Sequence, residues 1–287
     1  MKSVILIWLL ASFSHSAFAL KPSKIQITIE RDIYEQAQVV LGAHTAASIQ
    51  NFAHPDCQRD VVDFILVQKA LFLGGFHREF EFHLGNFDAR NIKMLTKGIL
   101  LVSFDTIWLS HAEQYKNNVY ISAPVIRKGE YWAGVFTSLE NLQRIQLKKL
   151  ADLQALSIVS SKDWFVDWQT LTNIGPKELI HEPDWISMAK LVSMGWIDVM
   201  LAPFKNQYPF QYKGGGYHIK AIEGVKVALD DSRHFVFSKL HPDGLDAFKA
   251  LEAGLAVLRK QGFIKRAYQE CGFFNAKVAD WTLLNHQ

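Results

Sequence analysis

Between residues 24 and 104 the hydrophobic repeat switches back and forth between a period of two and a period of about 3.6 residues, which restricts the chain to an α/β fold. Residues 24–29 alternate apolar and polar, the pattern of a half-buried strand. From Asp60 to Leu73, the residues Val61, Phe64, Ile65, Leu71 and Phe72 recur at helical spacings, and Gly74-Gly75 stops the run. Residues 80–84 return to period two. Residues 89–96 form a short helical pattern ending near Gly98, and residues 99–104 are an apolar run suited to a buried strand. A βαβαβ order of this kind favours a parallel sheet with helices on its faces.

A second run of the same kind follows. Residues 119–122 and 131–136 are rich in β-branched and aromatic side chains, and residues 155–159 predict a further strand. Ser160 and Ser161 are placed to cap a helix through Trp164, Phe165, Trp168 and Leu171. Pro183 opens another helix, with Ile186, Ala189 and Val192 on one face, and Gly195 ends it. Residues 196–201 read as a strand carrying a single acid, Asp198. Gly214-Gly215-Gly216 marks a loop. Residues 225–229 and 234–238 are strand-like. Leu245, Phe248, Leu251, Leu255 and Leu258 then trace one helical stripe, separated by Gly262 from a last helix through Ala267 and Tyr268. The organisation is two α/β lobes with a C-terminal helical segment.

The N-terminus has a separate purpose. Lys2 is followed by an apolar stretch from Val4 to Ala11, and Ala17-Phe18-Ala19 supplies small residues at the two positions that a signal peptidase reads. Residues 1–19 are therefore expected to be a signal peptide cleaved after Ala19, placing the mature protein in the periplasm. At 287 residues, with 49% hydrophobic and 21% charged residues, the chain supports two real cores and is not a disordered polyelectrolyte. A net charge of +3 gives no electrostatic footprint for nucleic acid. Cys57 and Cys271 are the only cysteines. An oxidising compartment would pair them if they lie close, and the alternative is two separate buried thiols.

Four segments, in order, resemble the type 2 periplasmic binding-protein fold, and in particular the family 3 extracellular solute-binding proteins. Tyr120-Ile121-Ser122-Ala123-Pro124-Val125 is similar to the family's crossover into its second lobe. Residues 151–161 resemble the strand, small-residue turn and helix that open that lobe. Met194-Gly195-Trp196-Ile197-Asp198-Val199 is similar to the family's "Gly-x-x-Asp-Ala". Residues 246–268, with Leu258-Arg259 leading to Gly262-Phe263-Ile264 and Tyr268, resemble the family's C-terminal end.

The resemblance implies two lobes, each a mostly parallel sheet flanked by helices, joined by a two-strand hinge with a ligand cleft between them. Lobe one would comprise residues 20–126 plus 235–287, and lobe two residues 127–234. Both cysteines would then lie in lobe one. The expected function is capture of a small polar ligand by a monomer that delivers it to a membrane permease, with closure as a hinge motion. The alternative is a ligand-sensing receptor partnering a membrane signalling protein. No cofactor is implied.

Site residues follow position by position. Asp198 matches the family carboxylate that receives a ligand ammonium, and an acid in an apolar strand is costly to bury unpaired; a solvent-facing or internally capped Asp is the alternative reading. Ser160 and Ser161 sit where helix N-terminal amides would favour an anion, although simple capping explains them equally. Tyr34, Trp108 and Trp164 fall near cleft-facing segments and suit sugars, cyclic or cationic ligands, with plain packing as the alternative reading. Asp105, after the third strand, is a further candidate. One departure stands out. Amino-acid binders of the family carry an Arg about six residues before the crossover aromatic, to clamp a carboxylate. Here that place holds Tyr115, beside Gln114, and no Arg lies between Arg90 and Arg127. Arg127, by the crossover, or Arg233 could substitute, with a surface or hinge ion pair as the alternative reading of each.

Other chemistry finds less support. His77, Glu79, Glu81 and His83 share one strand face, but zinc sites draw ligands from converging segments. The chain contains no Gly-x-Ser-x-Gly, phosphate-binding glycine loop or His-Glu-x-x-His. Asp230 and Asp231, being adjacent, would point to opposite faces of a strand. A binding protein, not an enzyme, is the expectation.

Overall fold

The computed structural model describes residues 24–285 except 86, 87 and 206. The expected signal peptide lies outside the described residues. Lobe one begins with β1 (Lys24–Glu30), α1 (Arg31–Leu41), α2 (Arg59–Leu73), β2 (Glu79–Gly85) and α3 (Asp88–Leu95). β1 and β2 pair in parallel from Lys24 opposite Glu79 to Glu30 opposite Gly85. Their alternation sends Ile25, Ile27 and Ile29 into the core and leaves Gln26, Glu79, Glu81 and His83 exposed. The outward face is thus a solvated polar surface.

The expected strand over residues 99–104 is instead a mostly buried, bent segment with one bridge, between Val102 and Phe237. Its backbone partners come from the returning chain. Ser103 N–H donates to Val236 O (3.2 Å), and Ser238 N–H donates to Leu101 O (2.9 Å). β3 (Ile107–Trp108), α4 (Leu109–Glu113) and β4 (Val119–Ile121) then carry the chain to the hinge.

Lobe two contains β5 (Trp132–Ser138), α5 (Asn141–Arg144), α6 (Leu150–Gln154), β6 (Ser157–Ser160), α7 (Phe165–Ile174), β7 (Glu178–His181), α8 (Trp185–Ser193) and β8 (Val199–Pro203). A hairpin of β9 (Gln211–Gly214) and β10 (Tyr217–Ala221) and the strand β11 (Val225–Ala228) complete it. β7, β6 and β8 are parallel, while β5 runs antiparallel to β8, β10 and β11. β5 alternates between faces: Val135 joins the main core, and Phe136 joins a second core with Met188, Met200, Phe204 and Ile219. α8 starts where Asp184 accepts from Ser187 N–H (2.7 Å), an N-cap immediately after Pro183.

The chain returns through β12 (Arg233–His234), β13 (Val236–Ser238), α9 (Gly244–Lys260) and α10 (Phe263–Glu270). β12 pairs with β3 and β13 with β4, both antiparallel. The two crossing segments hold each other: Val125 N–H donates to Arg233 O, and Arg233 N–H donates to Ile126 O, each at 2.9 Å. α9 packs closely on α2 because small residues face each other. A Cβ at Gly254 would lie 1.9 Å from Ala70 O, and one at Gly74 would lie 1.8 Å from Ala250 O. Cys57, ahead of α2, is disulfide-bonded to Cys271 at the end of α10, with Cα atoms 5.1 Å apart.

The C-terminal tail departs from the expected lobe-one placement. After a short 3-10 turn (Ala276–Val278), β14 (Thr282–Leu283) pairs in parallel with β11 of lobe two. Asn285 exchanges hydrogen bonds with Ala228, and Lys226 Nζ donates to Val278 O (2.7 Å) and Ala279 O (2.8 Å). Val278 and Trp281 pack into the second core. Two apolar side chains and an otherwise open strand edge hold the tail there.

Candidate functional site

The carboxyl end of β1 meets the amino ends of α1 and α2 in a cavity of about 170 Å³, lined by Ile29, Glu30, Asp32, Ile33, Arg59, Asp60 and Asp105. This is where open α/β sheets form their ligand crevice. The lining is acidic, with four carboxylates against one guanidinium.

Arg59 organises the floor from the first position of α2. Its Nη1 donates to Asp63 Oδ2 (2.6 Å), Asp105 Oδ1 (2.9 Å) and Thr106 Oγ1 (3.1 Å), and the guanidinium also contacts Asp60. Asp63 is fully buried and saturated, taking Thr106 Oγ1 (2.6 Å) and the Tyr268 hydroxyl besides Arg59. Arg233, buried in β12, donates from Nε to Thr106 Oγ1 (2.8 Å) and lies 3.6 Å from Asp105. Its guanidinium stacks over Trp108 at 4.6 Å. The carboxylates of Asp60, Asp63 and Asp105 approach within 4.8 Å of one another. Arg59 and Arg233 supply positive charge next to these carboxylates.

The electrostatics extend across the lobes. Burial pushes Asp60 up to about 7 against the pull of Arg59. Burial likewise pushes Asp167, in the first turn of α7, up to about 6 against Arg233 and Arg59. Tyr131, beside Trp108 at 5.3 Å, is raised by burial to about 12, and the charges of Arg59, Asp167 and Arg233 act on it. For Asp105 burial is also the largest influence, but the two guanidiniums reverse it and hold the carboxyl below its ordinary value. The charges of Arg233 and Arg59 thus act on a carboxylate of the α7 first turn as well as on the acids around the cavity.

Of the residues singled out from sequence, Asp105 and Trp108 belong to this cluster. Tyr34 is half-buried, its ring packed on Phe64 (6.0 Å) and Phe82 (5.5 Å). Trp164 is half-buried against the second core. Ser160 ends β6, Ser161 follows it, and both are buried. They do not cap α7, which begins four residues later with Trp164 as its N-cap; Ser161 Oγ instead accepts from Asp163 N–H (3.1 Å). Asp198 lies at the opposite end of the sheet. β6 and β8 run in parallel with Ile158 opposite Val199, so Asp198 stands beside Ser157 at the amino ends of the strands. It accepts from Ser157 N–H (3.0 Å) and Oγ (2.9 Å) and pairs with Arg144 (2.8 Å). Burial opposes ionisation there, but those bonds hold Asp198 below its usual range.

Arg59, Asp60, Tyr131 and Asp167 were not singled out from sequence. A signal existed for the first two: Arg59-Asp60-x-x-Asp63 places three charges at the start of an otherwise apolar helix. Nothing local marks Asp167.

A scan against protein-family models and a search of curated protein sequences find no match to this chain. Solved structures do match. The probable amino-acid ABC transporter extracellular-binding protein YtmK from Bacillus subtilis aligns over 86% of this chain and 97% of its own, at 14% identity and a TM-score of 0.56. The amino acid ABC transporter substrate-binding protein AbpA from Streptococcus pneumoniae, bound to L-arginine, aligns over 88% and 96%, at 12% identity and a TM-score of 0.53. The GluR0 ligand-binding core in complex with L-glutamate covers 73% of this chain and 88% of its own, at 12% identity and a TM-score of 0.51. The chain thus has the two-lobed α/β fold of the type 2 periplasmic binding proteins.

Proposed function

We propose that the mature protein is an exported, monomeric binding protein. It captures a small polar solute carrying a positive charge between its lobes and delivers it to a membrane permease. The observation that carries the reading is the acidic cavity at the carboxyl end of β1, with Asp167 of the other lobe acting on the same charges. Asp60, Asp105 and Asp167 are the groups that would receive the cation, and Trp108 and Tyr131 supply aromatic walls. Arg59 and Arg233 are tied to internal carboxylates, so the cleft offers no idle guanidinium to a ligand carboxylate. The second reading is a ligand-sensing receptor that partners a membrane signalling protein through the same cleft.

Thermal unfolding of the mature protein across a panel of cationic, zwitterionic and anionic solutes tests the binding claim. A rise in Tm with one cationic class is expected, because a ligand that binds only the native state stabilises it. No shift with any solute, or shifts with anions alone, would overturn the proposal. A permease or a membrane kinase encoded beside the gene separates transport from sensing.

A further inference from the structure

A second cavity, of about 230 Å³, lies at the hinge and has the opposite charge. Arg127 and Glu130 come from the first crossing segment, Arg259 from the end of α9 and Lys265 from the first turn of α10. Three cations thus face one carboxylate in a chain whose overall charge is nearly balanced. Glu130 already accepts from Arg127 N–H (2.8 Å). Arg259 donates to Pro124 O. Burial chiefly, and the like charge of Arg127 after it, make the Arg259 guanidinium easier to deprotonate than usual, against the pull of Glu130 and Glu252.

Two further features point to an anion. Gly262, the N-cap of α10, carries no side chain to satisfy the first-turn amides, and it lines the cavity with Ile264 and Lys265. A helix start of this kind favours a multiply charged oxyanion, which guanidiniums grip with paired donors. Val125, Ile264 and Phe274 form an apolar wall, and the volume exceeds the need of an inorganic ion.

We infer that this hinge cavity binds a small organic phosphomonoester, its dianionic head between Arg127, Arg259 and Lys265 and its organic part against Val125, Ile264 and Phe274. The net positive lining matches a dianion better than a monocarboxylate. The site is separate from the cleft and does not rest on the function proposed for it. An occupant would tie the first crossing segment to the α9–α10 turn.

The test is calorimetric titration of the mature protein with phenyl phosphate, inorganic phosphate and phenylacetate at matched ionic strength. Phenyl phosphate is expected to bind at least tenfold more tightly than phenylacetate and more tightly than inorganic phosphate. The exposed pair Arg127→Gln and Lys265→Gln, with Arg259 left in place, is expected to weaken phenyl phosphate at least tenfold at unchanged Tm. Equal binding of phenyl phosphate and phenylacetate, or an unaltered affinity in the double variant, would overturn the site. Inorganic phosphate binding as tightly as phenyl phosphate would overturn the organic part of the assignment.

Discussion

Arg59 Nη1 and Asp105 Oδ1 lie 2.9 Å apart, although 46 residues separate them in the chain. The pair joins the first turn of α2 to the segment entering β3, and both residues line the cleft cavity. The lobe-one side of the site is therefore set by tertiary charge pairing rather than by a local motif. Arg59→Gln leaves buried Asp63 without its ion-pair partner, and such removal typically costs about 3–5 kcal/mol. Chemical denaturation is expected to show a loss of that order.

Asp60 and Asp167 give the cleft a pH response. Both have native values raised above 3.8, to about 7 and about 6, so the native state holds more protons than the unfolded chain near neutrality. Their contribution to stability is complete below the unfolded value and is lost as pH rises through the native values. Protonation also removes negative charge from the site. The affinity for a cationic solute is expected to fall as pH drops from about 8 to about 5, a window set by those two groups. Calorimetry across that range checks it, and Asp60→Asn with Asp167→Asn should flatten the profile.

Asp198 leads to a different expectation. Its carboxylate satisfies Ser157 N–H and Arg144 at the end of the sheet away from the cavity. Asp198→Ala should lower stability by about 1–3 kcal/mol, the cost of orphaning a part-buried donor. Solute affinity should stay within twofold of the wild type. A larger loss of affinity at full folding would return Asp198 to the site.

The α2–α9 contact tolerates no added methyl. In Gly254→Ala the new Cβ would fall 1.9 Å from a backbone oxygen, so the helices must separate. A cost of at least about 1–3 kcal/mol is expected in denaturant unfolding.

The disulfide closes a sequence separation of 214 residues within lobe one. Cys57→Ser with Cys271→Ser should destabilise the protein by about 2–5 kcal/mol. Comparing the midpoints of oxidised protein and double variant measures it.

The hydrophobic period made the lobes legible because the core is buried by alternating strands and striped helices. The α2 pattern ran from Asp60 to Leu73, and the structure starts that helix at Arg59. The site was harder to read. Asp105 and Trp108 could be found from their place near the third apolar run, whereas the influence of Arg233 on Asp167 links residues 66 positions apart and leaves no local sequence signal. Asp198 looked unusual as an acid in an apolar run, but strand direction decides which end it occupies, and sequence alone does not show a partner such as Ser157. The 99–104 segment reads as a strand because residues 100–104 are buried, yet it makes only a single bridge, Val102 with Phe237.

β14 covers the outer edge of β11, pairing Val225 with Thr282 and Lys226 with Leu283. Cutting the chain after Cys271 would spare the disulfide but uncover a strand whose four residues are all buried. Exposed strands of that kind recruit other chains. A form truncated there is expected to lose the buried Phe273, Val278 and Leu284 as well and to self-associate through the bared edge.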